Sequence, residues 1–365
     1  MVAAGDDGSA SNGMIVAGNS GRAAWGAKFD GQGKMVWNYT MGLQDQFRYP
    51  VPYAQFRGAA SMPDGSAFLC GNMPRPLGST ASWLVLVHLD VNGHPLSETF
   101  PEPDSRTNPG VTARGAAACV RSNDGVVVLA VVSRVIRSAE KGVLPKQERF
   151  YWVLASDPSG RIKWETQIPM MLFNGIFQPG TIFVAKDTGV IFSATNNLST
   201  ELVIIGDGGT VKFHREIPGR LILARPVAAD DAVRLFGTVD NRLRSAIVTL
   251  DDHLVEVSRT GGDYPRNFMA NFAYAGPGET LVLFGSTVHD GGANYTSLVV
   301  SVDRTLKAER NLELPHARGP LKDIGFIRAA APVGGDGEFV VARSLHAVGP
   351  DNSMRGLALD YLHLK

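Results

Sequence analysis

Long hydrophobic runs are missing from this chain. No apolar stretch reaches the ~18 residues that a membrane-crossing helix needs, so no membrane span is expected. Cysteine is nearly absent as well. Cys70 and Cys119 are the only two, and neither sits in a C-x-x-C, which disfavours a thiolate metal site. Both fall in apolar, strand-like runs, SAFLCGN and GAAACV, where a free cysteine behaves as a small buried hydrophobe. A single disulfide between neighbouring elements is the alternative reading. There is no net charge: 35 Lys and Arg balance 35 Asp and Glu, so no global field favours nucleic acid or an anionic membrane. The first residues, MVAAGDDGSASNG, have neither a basic n-region nor an apolar h-region and do not read as a signal peptide.

Recognisable catalytic spacing is also lacking. The 8 histidines form no H-E-x-x-H or H-x-H pattern, and His88, His94 and His214 fall on strands or beside turns. The acidic doublets Asp6–Asp7, Asp230–Asp231 and Asp251–Asp252 match no calcium loop. No G-x-S-x-G elbow and no phosphate-cradling glycine loop is present. Neither a metal nor a cofactor is expected from these patterns.

What the chain does contain is a repeat. The composition is globular, with 44% hydrophobic and 19% charged residues, and 41 Gly with 21 Pro mark many turns. Short β-branched runs replace amphipathic helical faces, as in an all-β chain. Self-similarity emerges at seven turn aspartates: Asp30, Asp90, Asp157, Asp207, Asp251, Asp303 and Asp360. The second copy reads FRGAASM, PDG, SAFLCGN, a loop, SWLVLVHLD, VNG, HPLSETF; the third reads ARGAAACV, NDG, VVVLAVV, a loop, FYWVLASD, PSG, RIKWETQI. Four short antiparallel strands repeated in this way predict a seven-bladed β-propeller, because a lone meander cannot bury both of its faces and must stack on its neighbours. The blades are expected near 1–42, 56–103, 113–170, 173–219, 220–262, 267–316 and 324–365 of one domain spanning 1–365, closed by pairing of the two termini. Two consecutive β-sandwiches are the rival architecture.

The turn has a local cause. Asp accepts hydrogen bonds from turn amides, and a following Gly takes the positive φ of a tight reversal. DGQG, DVNG and DPSG satisfy this, GDGG keeps it in altered form, and DDHL and DRTL have lost the glycine. Trp37 and Trp164, four residues after Gly33 and Gly160, are placed to wedge between blades. FDGQGKMVW and SDPSGRIKW resemble the D-x-x-G-x-x-x-W repeats of quinoprotein-type bacterial propellers and of the related outer-membrane assembly lipoprotein. That resemblance implies a fold rather than an activity, since the motif is structural in those families. The distant cysteines and the short chain depart from quinoprotein dehydrogenases, and the turns do not follow the spacing of sialidase repeats.

Strand order predicts where function sits. Turns joining strands one to two and three to four share one face and are short. The long connections Met41–Gln55, Pro101–Thr112, Ser133–Arg149, Pro169–Pro179, Val288–Thr296, Pro315–Asp323 and Leu345–Ser353 fall on the other face, where variable loops carry binding. Arg57 and Arg114 precede GAA, Arg328 precedes AAA and Arg225 precedes Pro226, so these four are expected to converge at an axial mouth. Such a cluster suits a carboxylate, sulfate or phosphate, whereas pairing of each Arg within the protein is the plainer alternative. Phe47, Tyr49, Tyr53, Tyr264 and Tyr295 add aromatic surface on the loops. Arg134, Arg137, Lys141, Lys146 and Arg149 stand against Glu140 and Glu148 in one loop and read as a solvated charge run. The resulting expectation is a monomeric, non-catalytic propeller, periplasmic or secreted with the cytoplasm as the alternative, that binds a protein or an anionic or carbohydrate ligand. A glycosidase, lyase or lactonase and a cell-envelope or toxin-neutralising adaptor are the alternatives.

Overall fold

The computed structural model describes residues 2–5, 13–20, 23–41, 54–74, 82–103, 111–136, 145–172, 182–185, 189–196, 198–226, 233–238, 245–251, 255–262, 268–275, 280–289, 294–303, 305–314, 321–332, 338–347 and 354–364. Their regular structure is all β apart from one 3-10 turn at Asp207–Gly209, and no helix among them is long and apolar enough to cross a membrane. The chain divides into two compact units, Met1–Phe173 with Ile205–Lys212, and Asn174–Ile204 with Phe213–Lys365.

The first unit holds three antiparallel meanders. They comprise β1 (Val2–Gly5), β2 (Met14–Ser20), β3 (Ala23–Phe29) and β4 (Met35–Met41); β5 (Gln55–Ser61), β6 (Ala67–Pro74), β7 (Ser82–Leu89) and β8 (Pro95–Thr99); and β9 (Val111–Ser122), β10 (Gly125–Ile136), β11 (Lys146–Ser156) and β12 (Ile162–Pro169). The remaining strands are β13 (Ile182–Ala185), β14 (Gly189–Thr195), β15 (Ser199–Ile205) and β16 (Val211–Pro218); β17 (Arg220–Pro226), β18 (Val233–Thr238), β19 (Ser245–Leu250) and β20 (Glu256–Gly262); β21 (Phe268–Ala275), β22 (Leu281–His289), β23 (Asn294–Val302) and β24 (Ala308–Glu313); and β25 (Leu321–Pro332), β26 (Glu338–Ala347) and β27 (Met354–His363). Every meander follows chain order, as short hairpin connections require.

The burial pattern explains the stacking. β10 reads GVVVLAVV at its start and β15 reads STELVII, and both are buried on their two faces. Such strands need cover on each side. The last strand of a meander behaves differently: β12, IKWETQIP, alternates half-buried and exposed positions along most of its length, as an edge strand with one wet face does. Each apolar core is accordingly shared by successive sheets. One joins Ala17 and Trp37 to Phe56 and Leu69, the next joins Phe68 and Leu86 to Val128 and Trp152, and in the second unit another joins Tyr274 and Phe284 to Phe339. Each fully buried Val, Leu or Phe contributes about 1.5–3 kcal/mol. First strands also lie side by side within each unit. β5 rests against β1 and β9, and β17 pairs in parallel with β21 through Ala224↔Ala273 and Arg225↔Tyr274. This is a propeller-like repeat fold.

The aspartate turns are built as their chemistry suggests. Asp30, Asp90, Asp157 and Asp303 each donate their N–H to the carbonyl four residues on, at 2.8–3.0 Å. Their Oδ1 atoms accept from the amides two and four residues on, at 2.8–3.1 Å. Asp251 keeps the same reciprocal pair with Val255. Two of the expected anchors do something else. In the fourth copy Gly206 takes the anchor position, bonding Thr210 and Gly209, so Asp207 lies one place late and has no such role. Asp360 lies inside β27 opposite Val341, where it accepts from Arg343 Nε at 2.6 Å and Nη2 at 3.0 Å. The reason is electrostatic: Arg343 is 2% exposed, and a cation that buried requires a counter-charge. Where the glycine has been lost, Leu306 occupies its place at φ 63°. The left-handed strain of about 1–2 kcal/mol there is offset by burial of the leucine side chain.

The tryptophans lock neighbouring turns together. A Cβ built on Gly93 (φ 84°) would lie 2.8 Å from Trp37, and one on Gly209 (φ 83°) would lie 2.8 Å from Trp164. Thr99 takes the same part against Gly160, at 2.7 Å. Glycine is therefore needed twice, for its φ and for the ring that rests on it. In urea denaturation, Gly93→Ala is expected to cost about 2–4 kcal/mol, combining left-handed strain with overpacking. Gly208→Ala, at φ 70° with nothing within 4 Å, is expected to cost only the strain, about 1 kcal/mol. Equal losses at the two positions would contradict the wedge.

Candidate functional site

The four arginines singled out by the sequence lie on β5, β9, β17 and β25, the first strand of each meander. Arg57 lies on β5 at a β-bulge. Phe56 pairs with Gly71 and Gly58 with Cys70, leaving Arg57 as the extra residue. Bulges re-aim a side chain out of the ladder. The Gln55 amide, oriented with its oxygen toward the guanidinium, accepts from Arg57 Nη2 at 2.5 Å and Nε at 2.9 Å. No carboxylate among the described residues pairs with Arg57, and burial alone draws its pKa below the usual value. A half-buried guanidinium held by a neutral amide keeps further N–H donors for an oxyanion.

The likeness between the two R-G-A-A stretches is not a structural equivalence. In β9 the extra residues are Thr112 and Ala117, the latter between the pairs Ala116↔Ala130 and Ala118↔Leu129, whereas Arg114 sits in regular register with Val132. Ala117 stands the same step before Gly125 as Arg57 stands before Gly65, so Arg57 and Arg114 occupy different levels of their strands. Asn271 is the extra residue of β21, and Arg328 is extra in β25, whose ladder also shifts between Asp323 and Ile327. Asn271 donates to Ile327 O at 3.2 Å and so serves the joint to the next sheet. Arg225 lies on β17 opposite Tyr274, and Tyr295 on β23 opposite Val288. The side chains of Arg114, Arg225, Arg328 and Tyr295 lie outside the described residues, as do Phe47, Tyr49, Tyr53 and Tyr264 altogether.

The two ends of the charge run Ser133–Arg149 prove to be strand. β10 continues to Ile136 and β11 begins at Lys146, so Arg134 faces Glu148 across the ladder. Arg134 donates to Glu148 from Nε at 3.0 Å and Nη2 at 2.7 Å, and Lys146 adds a third bond at 3.3 Å. These bonds hold the Glu148 carboxyl below its ordinary pKa, with Arg134 the larger cause. The charges of Arg134 and Lys146 are thus compensated locally, while Arg137 and Lys141 lie outside the described residues.

One constellation escaped the sequence reading. Asp64, Ser66 and His88 are hydrogen-bonded in series: Ser66 Oγ lies 2.6 Å from Asp64 Oδ1 and 3.0 Å from His88 Nε2, while His88 Nδ1 donates to Pro158 O at 2.7 Å. The residue types are those of a nucleophilic triad, but the order is wrong for one. In a triad the carboxylate orients the imidazole; here it is bound to the hydroxyl, and a backbone carbonyl takes the far imidazole nitrogen. Ser66 and His88 are 3% and 6% exposed, and the imidazole stacks on Phe68 at 4.3 Å. The grouping ties the second meander to the Asp157 turn of the third. In the second unit, His214 likewise meets the buried Glu201 at 2.5 Å across β15 and β16. No three His, Cys, Asp or Glu among the described residues are grouped to hold a metal.

The sequence matches no protein-family model and no curated protein. Solved structures similar to it include a puromycin hydrolase mutant complexed with PGG, at 12% identity and TM-score 0.53, with 92% of this chain covering 49% of that one. Hydrazine synthase from Kuenenia stuttgartiensis aligns at 11% identity and TM-score 0.51, covering 85% of this chain and 80% of that one. A protein from Lactobacillus plantarum aligns at 12% identity and TM-score 0.50, covering 97% of both chains. This chain spans about half the length of the puromycin hydrolase. At such identities the likeness extends to the β-rich fold alone.

The Ser66 hydroxyl is the main cause holding the Asp64 carboxyl below its usual pKa. A lowered native pKa gives stability that is present above the unfolded value of about 3.9 and is lost as pH falls through the native one. Ser66→Ala is therefore expected to cost about 1–2 kcal/mol at neutral pH, with the deficit shrinking below about pH 4. A urea series across pH checks this, and a deficit that grows on acidification would contradict it.

Proposed function

We propose that this chain is a non-catalytic, quinoprotein-like binding propeller that recognises an oxyanion-bearing ligand through Arg57. The ligand group is a carboxylate, sulfate or phosphate, carried by a small molecule, an acidic sugar or an acidic segment of a protein partner. The carrying observation is the state of Arg57: half-buried, lifted out of its ladder by a bulge, held by the neutral Gln55 and unpaired with any described carboxylate. Desolvating a cation costs free energy that an incoming anion recovers through charge-assisted hydrogen bonds. The planar guanidinium fork favours trigonal and tetrahedral oxyanions over halides.

Binding is favoured over catalysis because the described groups with catalytic potential are already engaged. The Asp64–Ser66–His88 series is sealed into a joint, and the turn aspartates spend their oxygens on backbone amides. Sulfate and the dicarboxylate malonate are suitable first ligands. Isothermal titration at low ionic strength is expected to show binding that weakens about tenfold or more in Arg57→Ala, the worth of a hydrogen bond to a charged group. Gln55→Ala, which leaves the charge but removes its holder, is expected to weaken it less. Binding unchanged in Arg57→Ala would remove this residue from the site.

A further inference from the structure

We infer that Cys70 and Cys119 are an inter-sheet redox pair that closes into a disulfide joining the second and third meanders of the first unit. Cys70 lies on β6 directly opposite Gly58 of β5, and Cys119 lies on the neighbouring β9. Both are buried free thiols, 0% and 7% exposed. They converge on the space that a side chain at Gly58 would fill: a Cβ built there would stand 2.7 Å from Cys70 Sγ and 2.9 Å from Cys119 Sγ. Burial, with the Cys119 thiol beside it, pushes the Cys70 thiol well up. The missing side chain at position 58 is thus what allows sulfur to meet sulfur across two sheets.

The chemistry is thiol–disulfide exchange with a low-molecular-weight disulfide. Cys119, the less buried sulfur, attacks as thiolate and releases one small thiol, forming a mixed disulfide. Cys70 then attacks the Cys119 sulfur and releases the second thiol. Two protein thiols are oxidised, one small disulfide is reduced to two thiols, and the two cysteine protons pass to the leaving thiolates. Both sulfurs lie in the core, so exchange proceeds through opening of the joint between β5 and β9, or before that joint has formed. The cross-link would tie together residues 70 and 119, a separation long enough for loop closure to constrain the unfolded chain substantially. The pair stays reduced against a reducing cytosolic thiol pool and closes in an oxidising compartment. This inference does not rest on the anion site.

The test uses the full chain, reduced and then incubated with oxidised glutathione in urea below the unfolding midpoint. Intact-mass spectrometry is expected to show a monomer lighter by about 2 Da, without a glutathione adduct and reversible by dithiothreitol. The melting temperature of the oxidised form is expected to rise by about 5 °C. Cys70→Ser is expected to accumulate a glutathione adduct on Cys119 and to show neither change. Persistent adducts on both wild-type cysteines, an intermolecular dimer, or an unaltered mass under conditions where iodoacetamide alkylates both thiols would overturn the pairing. An oxidised monomer no more stable than the reduced one would overturn the staple. The wild-type measurements stand by themselves should the serine variant fail to fold.

Discussion

A sheet that is apolar on both faces cannot stand alone. β15 and most of β10 and β11 are buried on each side, so the free energy of folding depends on neighbouring meanders lying against them. The joints between sheets therefore carry the architecture more than any single ladder does. Their geometry is visible on the turn side, where the ring of Trp37 rests on Gly93 and that of Trp164 on Gly209. The same joints recruit His88 to Pro158 O, Tyr39 to Glu98 and Asn271 to Ile327 O. Tyr39 shows the cost of such service. Burial and the bond to Glu98 raise its phenol pKa well above the ordinary value, fixing it as a donor.

This constraint sorts the polar residues by task. Asp30, Asp90, Asp157 and Asp303 serve turns, and Asp64, Ser66 and His88 serve a joint; Arg343 and Asp360 neutralise each other inside a sheet. Each is polar chemistry consumed by packing. Arg57 stands apart from them because a bulge takes it out of the ladder while its nearest holder carries no charge. The functional reading rests on the contrast between these spent groups and Arg57, which keeps N–H donors beyond its bonds to Gln55.

The fold was legible because its signals are local. An aspartate followed by a glycine three residues on makes the same turn wherever it occurs, and a tryptophan four residues later reaches the next turn. Where the chain departs from the pattern, sequence misleads for physical reasons. Asp207 looks like an anchor, but Gly206, one place earlier, makes the turn's backbone bonds without any side-chain contribution. Asp360 carries the right residue type inside a strand, where a buried arginine recruits it. The candidate site was less legible. Two R-G-A-A strings invite superposition, yet the bulge nearest the turn falls at Arg57 in one strand and at Ala117 in the other, so their arginines stand at different levels. The meeting of Cys70 with Cys119 and the series Asp64–Ser66–His88 both cross between sheets, and no spacing along the chain announces them.

The most direct measurement of the central claim, that the joints are structural and the spare cation is functional, is a crystal structure grown in malonate or sulfate. The account predicts an oxyanion within hydrogen-bond distance of the Arg57 guanidinium, with Gln55 still holding Nε and the Asp64–Ser66–His88 series closed to ligand. An Arg57 paired with a carboxylate of its own chain, or an anion displacing His88 from Ser66, would contradict it.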